Sequence, residues 1–292
     1  MIEDTAARPL ASLPTPSRDE LHTATRLTYV LHQRFSYTYD APVRDLNHRL
    51  VVVPPRRHGN QHRRTHSIAV STADARTVSH RDAAGNTVTR CRVPVVPDRV
   101  EFVVDVVVER VAPDSDVRLP AAALTDPRLL RPTRLTAADP AIRKQAAIAG
   151  PDRLATAAQF CAYVHEAISF ETGVTSVATT AAEALAAGRG VCQDSAHVMI
   201  ALCRAAGLPA RYVSGHLLGD GGTHAWVEVI VADGAGARAV AFDPSSGGEV
   251  GRKYLTVAVG RDYADVAPTS GTYLGAARGT LTATRRVSVT LA

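Results

Sequence analysis

From Thr25 onward the apolar residues fall at every second position. Leu27, Tyr29 and Leu31 alternate with polar neighbours, and Phe35, Tyr37 and Tyr39 resume the same period after a shift, a pattern that predicts half-buried strands. Residues 50–53 form a short apolar run stopped by Pro54 and Pro55. Residues 68–70 are a further candidate strand, and a Gly-Asn turn within residues 82–86 precedes another over 87–93. Across residues 100–111, Phe102, Val104, Val106 and Val108 alternate with Glu101, Asp105 and Glu109. Several strands with turn signals and no helical period predict an antiparallel β domain over about residues 25–111.

Beyond Pro120 the period changes to that of a helix. Asp139-Pro140 followed by residues 141–149 and Gly150 carries the cap, first-turn proline and terminal glycine of one helix. Leu154, Ala158, Cys161, His165 and Ile168 mark a second, and Thr180-x-x-Glu183 is a capping box opening a short third. Residues 188–207 then read Gly-Arg-Gly-Val-Cys-Gln-Asp-Ser-Ala-His-Val-Met-Ile-Ala-Leu-Cys-Arg-Ala-Ala-Gly. This is a glycine turn followed by a helix apolar on nearly every side, which must be buried. Gly207 and Pro209 end it, and residues 210–218, 224–231 and 238–243 predict a three-stranded meander. A final alternating run from Leu281 to Leu291 predicts one more strand, expected to return to an earlier sheet. The expected class is α+β, with a tail over residues 1–22, a β-rich domain over 23–118 and a second domain over 119–292.

Composition narrows the picture. A hydrophobic content of 46% and a charged content of 21% describe an ordinary globular protein of 292 residues. The net charge of +5 is mild, and the arginines are scattered apart from one loop, so composition argues against a nucleic-acid partner. The first 21 residues carry Glu3, Asp4 and three prolines, Pro9, Pro14 and Pro16, without an apolar stretch. They read as a flexible tail rather than a signal peptide or membrane span, which predicts a cytoplasmic protein. The four cysteines show no CxxC spacing, arguing against a disulfide framework and against thiolate metal binding. No calcium loop is recognisable, so neither metal nor cofactor is expected. His58, His62 and His66 are spaced by four, but Gly59-Asn60 breaks a helix and no acid stands nearby. Residues 56–66 are therefore expected to form a solvated hairpin loop.

One constellation carries chemistry. Cys192 falls in the first turn of the buried helix, where the macrodipole and free N–H groups favour a thiolate. His224 opens a strand and Asp243 closes the next, so in an antiparallel pair the carboxylate can reach the imidazole. A thiol needs a base, and the base needs an orienting group, to act as a nucleophile. Lesser candidates are His216, inside a strand, and His197, expected to be a buried, hydrogen-bonded histidine. Cys161, one turn from His165, is expected to be a core cysteine.

The blocks Gly190-Val191-Cys192-Gln193-Asp194-Ser195-Ala196-His197, residues 209–215 (Pro-Ala-Arg-Tyr-Val-Ser-Gly), His224-Ala225-Trp226-Val227-Glu228 and Phe242-Asp243-Pro244 together resemble the bacterial transglutaminase-like family of the papain-like cysteine fold. The 82–86 turn, Pro42-Val43 and Arg49-Leu50 are similar to that family's β-rich N-terminal domain, so the resemblance extends over almost everything after Thr25. It implies Cys192 as nucleophile, His224 as base and Asp243 as orienting acid, with Gln193, Trp226 and His216 as candidate substrate-binding residues. Ser195 and His216 depart from the family pattern, which often has an aromatic residue and a tyrosine there. The expected activity is cysteine-dependent acyl transfer at amide bonds of a peptide or small amide or thioester substrate, more hydrolytic than transferring. The alternatives are a transamidase or amide-forming enzyme, and a non-catalytic scaffold that retains the triad.

Overall fold

The computed structural model describes residues 16–113 and 116–291. In chain order the longer strands are β1 (Arg26–Tyr39), β2 (Val43–Val53), β3 (Gln61–Val70), β4 (Arg76–Arg81), β5 (Thr87–Val96) and β6 (Arg99–Val111). There follow β7 (Ala210–Leu217), β8 (His224–Asp233), β9 (Gly236–Asp243), β10 (Tyr254–Gly260), β11 (Thr269–Leu274) and β12 (Gly279–Leu291). Helices fill the interval between β6 and β7, the longest being Arg153–Ala167 and Cys192–Ala205.

The β-rich half is built from two antiparallel sheets. One has the order β12-β1-β6-β3, extended at either edge by the two-residue strands Gly219–Asp220 and Arg57–His58; the other has the order β11-β2-β5-β4. The alternation read from the sequence is the alternation of burial. Leu27, Tyr29, Leu31 and Phe35 of β1 and Phe102, Val104, Val106 and Val108 of β6 join Leu46 and Leu50 of β2 in one buried cluster. His48 of β2 stacks on Phe102 of β6 with ring centroids 4.8 Å apart, joining the two sheets through their facing sides. Two late strands complete these sheets: β12 pairs with β1 along its length, from Gly279 opposite Tyr39 to Leu291 opposite Leu27, and β11 pairs with β2.

The other half is a helical layer on an antiparallel sheet of order β9-β8-β7-β10. In the helix Cys192–Ala205 every residue from Gln193 to Arg204 is buried, as expected of a helix apolar all round. It packs on Ala225, Val227 and Val229 of β8, which point to the helix side while Trp226 and Glu228 alternate to the other. The three-stranded meander has a fourth strand, β10, hidden in sequence as an apolar run without turn signals of its own.

Three expectations are corrected. The first helix stops at Ala146 rather than near 149. The expected tail lies largely outside the described residues, but Arg18–Thr23 is a helix closed by a Ser17–Glu20 capping box, and Leu21 is 6% exposed. The Arg-His segment forms the expected hairpin, but it is not a solvated loop. Arg57–His58 pairs with Gln61 and His62, and the His58 ring turns inward to Glu228 of β8 at 2.6 Å. Arg211 closes on the other oxygen of Glu228, Nε to Oε2 at 2.7 Å. Burial alone would raise this carboxyl, yet Arg211 and His58 outweigh it and hold it down at about 2.

Candidate active site

Cys192 begins its helix directly after Val191, whose backbone N–H donates to Asp194 Oδ2 at 2.8 Å. That bond folds Asp194 back over Gly190, where a Cβ would stand 2.6 Å from the same oxygen. Glycine at 190 is thus a steric requirement of the cap that presents Cys192. Of the four cysteines only Cys192 is partly exposed; Cys91, Cys161 and Cys203 are buried. Burial pushes the Cys161 thiol up to about 11 and the Cys203 thiol up to about 12, which leaves them un-ionised near neutrality.

His224 stands opposite Gly215 of β7. Its Nε2 is 2.8 Å from Asp243 Oδ2, and the Cys192 thiol lies near enough to raise the proton affinity of the ring. Since Nε2 faces Asp243, Nδ1 is the atom left for the sulfur. The β8–β9 register runs from Asp233 opposite Gly236 to Val227 opposite Phe242. One further step sets Asp243 opposite Trp226, so it reaches His224 on the diagonal. The structure therefore joins His224 to Asp243 and sets Cys192 close to the same ring.

Asp243 has no exposed surface. Its Oδ1 accepts from the Ser245 N–H at 3.0 Å and the Ser245 hydroxyl at 2.8 Å, and its Oδ2 accepts from the Tyr254 hydroxyl at 2.8 Å. Burial would raise the carboxyl, but the bonds from His224, Ser245 and Tyr254 outweigh it and hold it well below the ordinary carboxylate range. Burial likewise would lower His224, and the contacts with Asp243 and Cys192 reverse the sign, pushing it up to about 9. The protonated ring is thus favoured beside the Asp243 carboxylate.

Behind the pair lies an aromatic wall. Trp226 is fully buried, 6.2 Å from the His224 ring and edge-on to Tyr254 at 5.4 Å. Trp226 therefore backs the histidine rather than lining the open side of the cleft. Gln193 is 9% exposed in the first turn, and His216 is 3% exposed within β7. Burial pushes His216 down to about 3 and His197 down to about 4, so neither carries charge at neutral pH. His197 accepts from the Tyr263 N–H at Nε2. Sequence reasoning missed Tyr254 and Ser245. The Asp-Pro-Ser-Ser run was a legible turn signal for N–H groups pointing back at the carboxylate, whereas nothing in the apolar run of β10 marked Tyr254.

A cavity of about 880 Å³ elsewhere, between the two halves, is lined by Arg49, Asp82, Leu129, Arg211 and Asp265 among others and includes none of the three residues. Among the described residues no group of three or more His, Cys, Asp or Glu side chains is placed to hold a metal ion. Likewise no helix among them is long and apolar enough to cross a membrane.

Residues 29–109 match the bacterial transglutaminase-like N-terminal region, and residues 142–244 match the core of the transglutaminase-like superfamily. The chain belongs to the transglutaminase-like superfamily. An uncharacterized protein of Mycobacterium leprae is 37% identical over 118 residues, which are 37% of this chain and 40% of that protein. One from Mycobacterium tuberculosis H37Rv is 38% identical over 120 residues, 37% of this chain and 38% of its own length. The match thus spans about two fifths of these relatives. Among solved structures, a protein of Cytophaga hutchinsonii described as a proposed cysteine protease superposes with a TM-score of 0.72 over 91% of both chains at 20% identity; it shares the fold.

Proposed function

We propose that this superfamily member is a cysteine enzyme that transfers an acyl group from an amide through a thioester on Cys192, and that water is the usual acceptor. The observation that carries the reading is the His224 ring bonded to the buried Asp243 carboxylate, with the Cys192 thiol near enough to raise its proton affinity. The imidazolium stabilises the thiolate as a counter-ion, and Asp243 fixes the ring orientation. The sulfur attacks the carbonyl carbon, and the negative charge that develops on oxygen faces the Cys192 backbone N–H at the helix N-terminus. As the C–N bond breaks, His224 gives its proton to the leaving amine. His224 then takes a proton from water as the hydroxyl adds to the thioester, the C–S bond breaks, and a carboxylic acid leaves. An amine in place of water would give a new amide by the same steps.

The substrate class is a peptide or small amide, and three buried free thiols suit a reducing, cytoplasmic setting. Intact-mass analysis of the protein mixed with a peptide pool is the test. An acyl adduct on Cys192 that is absent from Cys192→Ala supports the reading, and release of the free acid rather than an added amine assigns hydrolysis. A protein in which Cys192 reacts with thiol reagents no faster than Cys91, Cys161 and Cys203 is not this enzyme.

A further inference from the structure

The glycine-rich segment before His224 is tied down by the last strand. Gly219 and Asp220 pair with Val287 and Arg286 of β12, and Arg286 grips Asp220 at 2.7 and 3.0 Å. This pairing brings the neighbouring Arg285 under Gly222, with Nη1 4.0 Å from where a Cβ would sit. Gly222 is two residues from His224, so at about 3.3 Å per residue the guanidinium lies on the order of 10 Å from the imidazole. On its other side are Tyr263 and His216, both within electrostatic range. Tyr263 in turn meets Tyr212, whose hydroxyl feels Cys192.

Arg285 differs from the other enclosed arginines. Arg204 donates to Thr136 and to three backbone carbonyls, Arg252 donates to the carbonyls of Leu21 and Ala24, and Arg211 is paired with Glu228. The Arg285 guanidinium rests over the Phe35 ring at 5.5 Å, and among the described residues no carboxylate or carbonyl accepts from it. Its Nε is enclosed without a partner, and so is Nδ1 of His216. His216 is held neutral by burial, so it offers no competing charge. A half-enclosed cation with no counter-ion favours an arriving anion, and this one lies under Gly222, two residues from His224.

We propose that Arg285 receives a carboxylate carried by the substrate, so that the preferred acyl donors are amides with a free carboxylate near the scissile bond. This rests on the acyl-transfer reading of Cys192. The test compares two alkylating probes, N-iodoacetylglycine and N-iodoacetylglycinamide, which differ only in that carboxylate; in both the Cys192 sulfur displaces iodide. The carboxylate probe is expected to label Cys192 roughly tenfold faster relative to its neutral twin than it labels free cysteine, the advantage of one charge-assisted hydrogen bond. That preference should vanish in Arg285→Gln, persist in large part in Arg285→Lys, and shrink with added salt, with the neutral probe unaffected in all three. Melting curves establish that each variant is folded, and the lysine variant carries the test if glutamine is not tolerated. Absence of a preference in the wild type, or its survival in Arg285→Gln, overturns the proposal. Fast labelling of Cys192 with no preference rejects the Arg285 subsite alone. Labelling no faster than at the buried cysteines, with the charge preference intact, rejects the acyl-transfer reading alone.

Discussion

The imidazole of His58, on a short strand of the β-rich half, closes on the carboxylate of Glu228 at 2.6 Å, and Glu228 lies on the same face of β8 as Trp226 and His224. With Arg211 on its other oxygen, Glu228 is 3% exposed and fully paired. The two halves are therefore joined by an enclosed charge cluster on the strand that carries His224.

Breaking an enclosed ion pair outright costs about 3–5 kcal/mol. His58→Ala leaves Arg211 on Glu228 and removes one hydrogen bond to the carboxylate, so a loss of about 1.5–3 kcal/mol is expected, read from chemical denaturation. Replacement of His62, which does not reach Glu228, should be close to neutral.

Tyr254→Phe removes one donor from Asp243 and changes little else. Hydrogen bonds to a charged group contribute about 1.5–3 kcal/mol, and the expected result is a tenfold fall in kcat with KM held, measured on any substrate found by acyl trapping. A change confined to KM would mean that Tyr254 serves binding instead.

The proton on His224 sets a pH window. Its folded value, about 9, lies above the ordinary imidazole value near 6.5. The stability it contributes is full below about 6.5 and is lost as pH rises through about 9, amounting to at most about 3 kcal/mol. The alkaline limb of kcat/KM should fall in the same range, and Asp243→Asn should move that limb to lower pH. Trp226 is the only tryptophan in the sequence and lies 6.2 Å from this ring. Its fluorescence should rise as the imidazolium is lost, and His224→Gln should abolish that step.

Gly215→Ala tests the wall behind the histidine. A Cβ at 215 would meet Trp226 Cη2 and the Leu255 carbonyl oxygen at 2.3 Å each. Overpacking of this kind costs about 1–3 kcal/mol. The variant should melt earlier, show altered tryptophan fluorescence, and label more slowly at Cys192 because Trp226 presses on His224.

Local pattern decided a good deal. Period two assigned Ala225, Val227 and Val229 to the buried side of β8, and the all-round apolar pattern of residues 196–206 required a buried helix that starts at Cys192. These features are legible because they depend on neighbours a few residues away. The identities of Cys192, His224 and Asp243 were also visible, since thiol, imidazole and carboxylate stood at element ends within recognisable blocks. Only the tertiary structure brought Tyr254 to Asp243, His58 to Glu228 and Arg285 beneath Gly222. Tyr254 arrives through β10 beside β7 and Arg285 through β12 beside β1, strands far apart in the chain, while the local hairpin of His58 meets β8 only in the assembled structure. Alternation states which way a side chain points along its own strand, but pairing and register are fixed by burial of whole faces, and that choice is made by the assembled core.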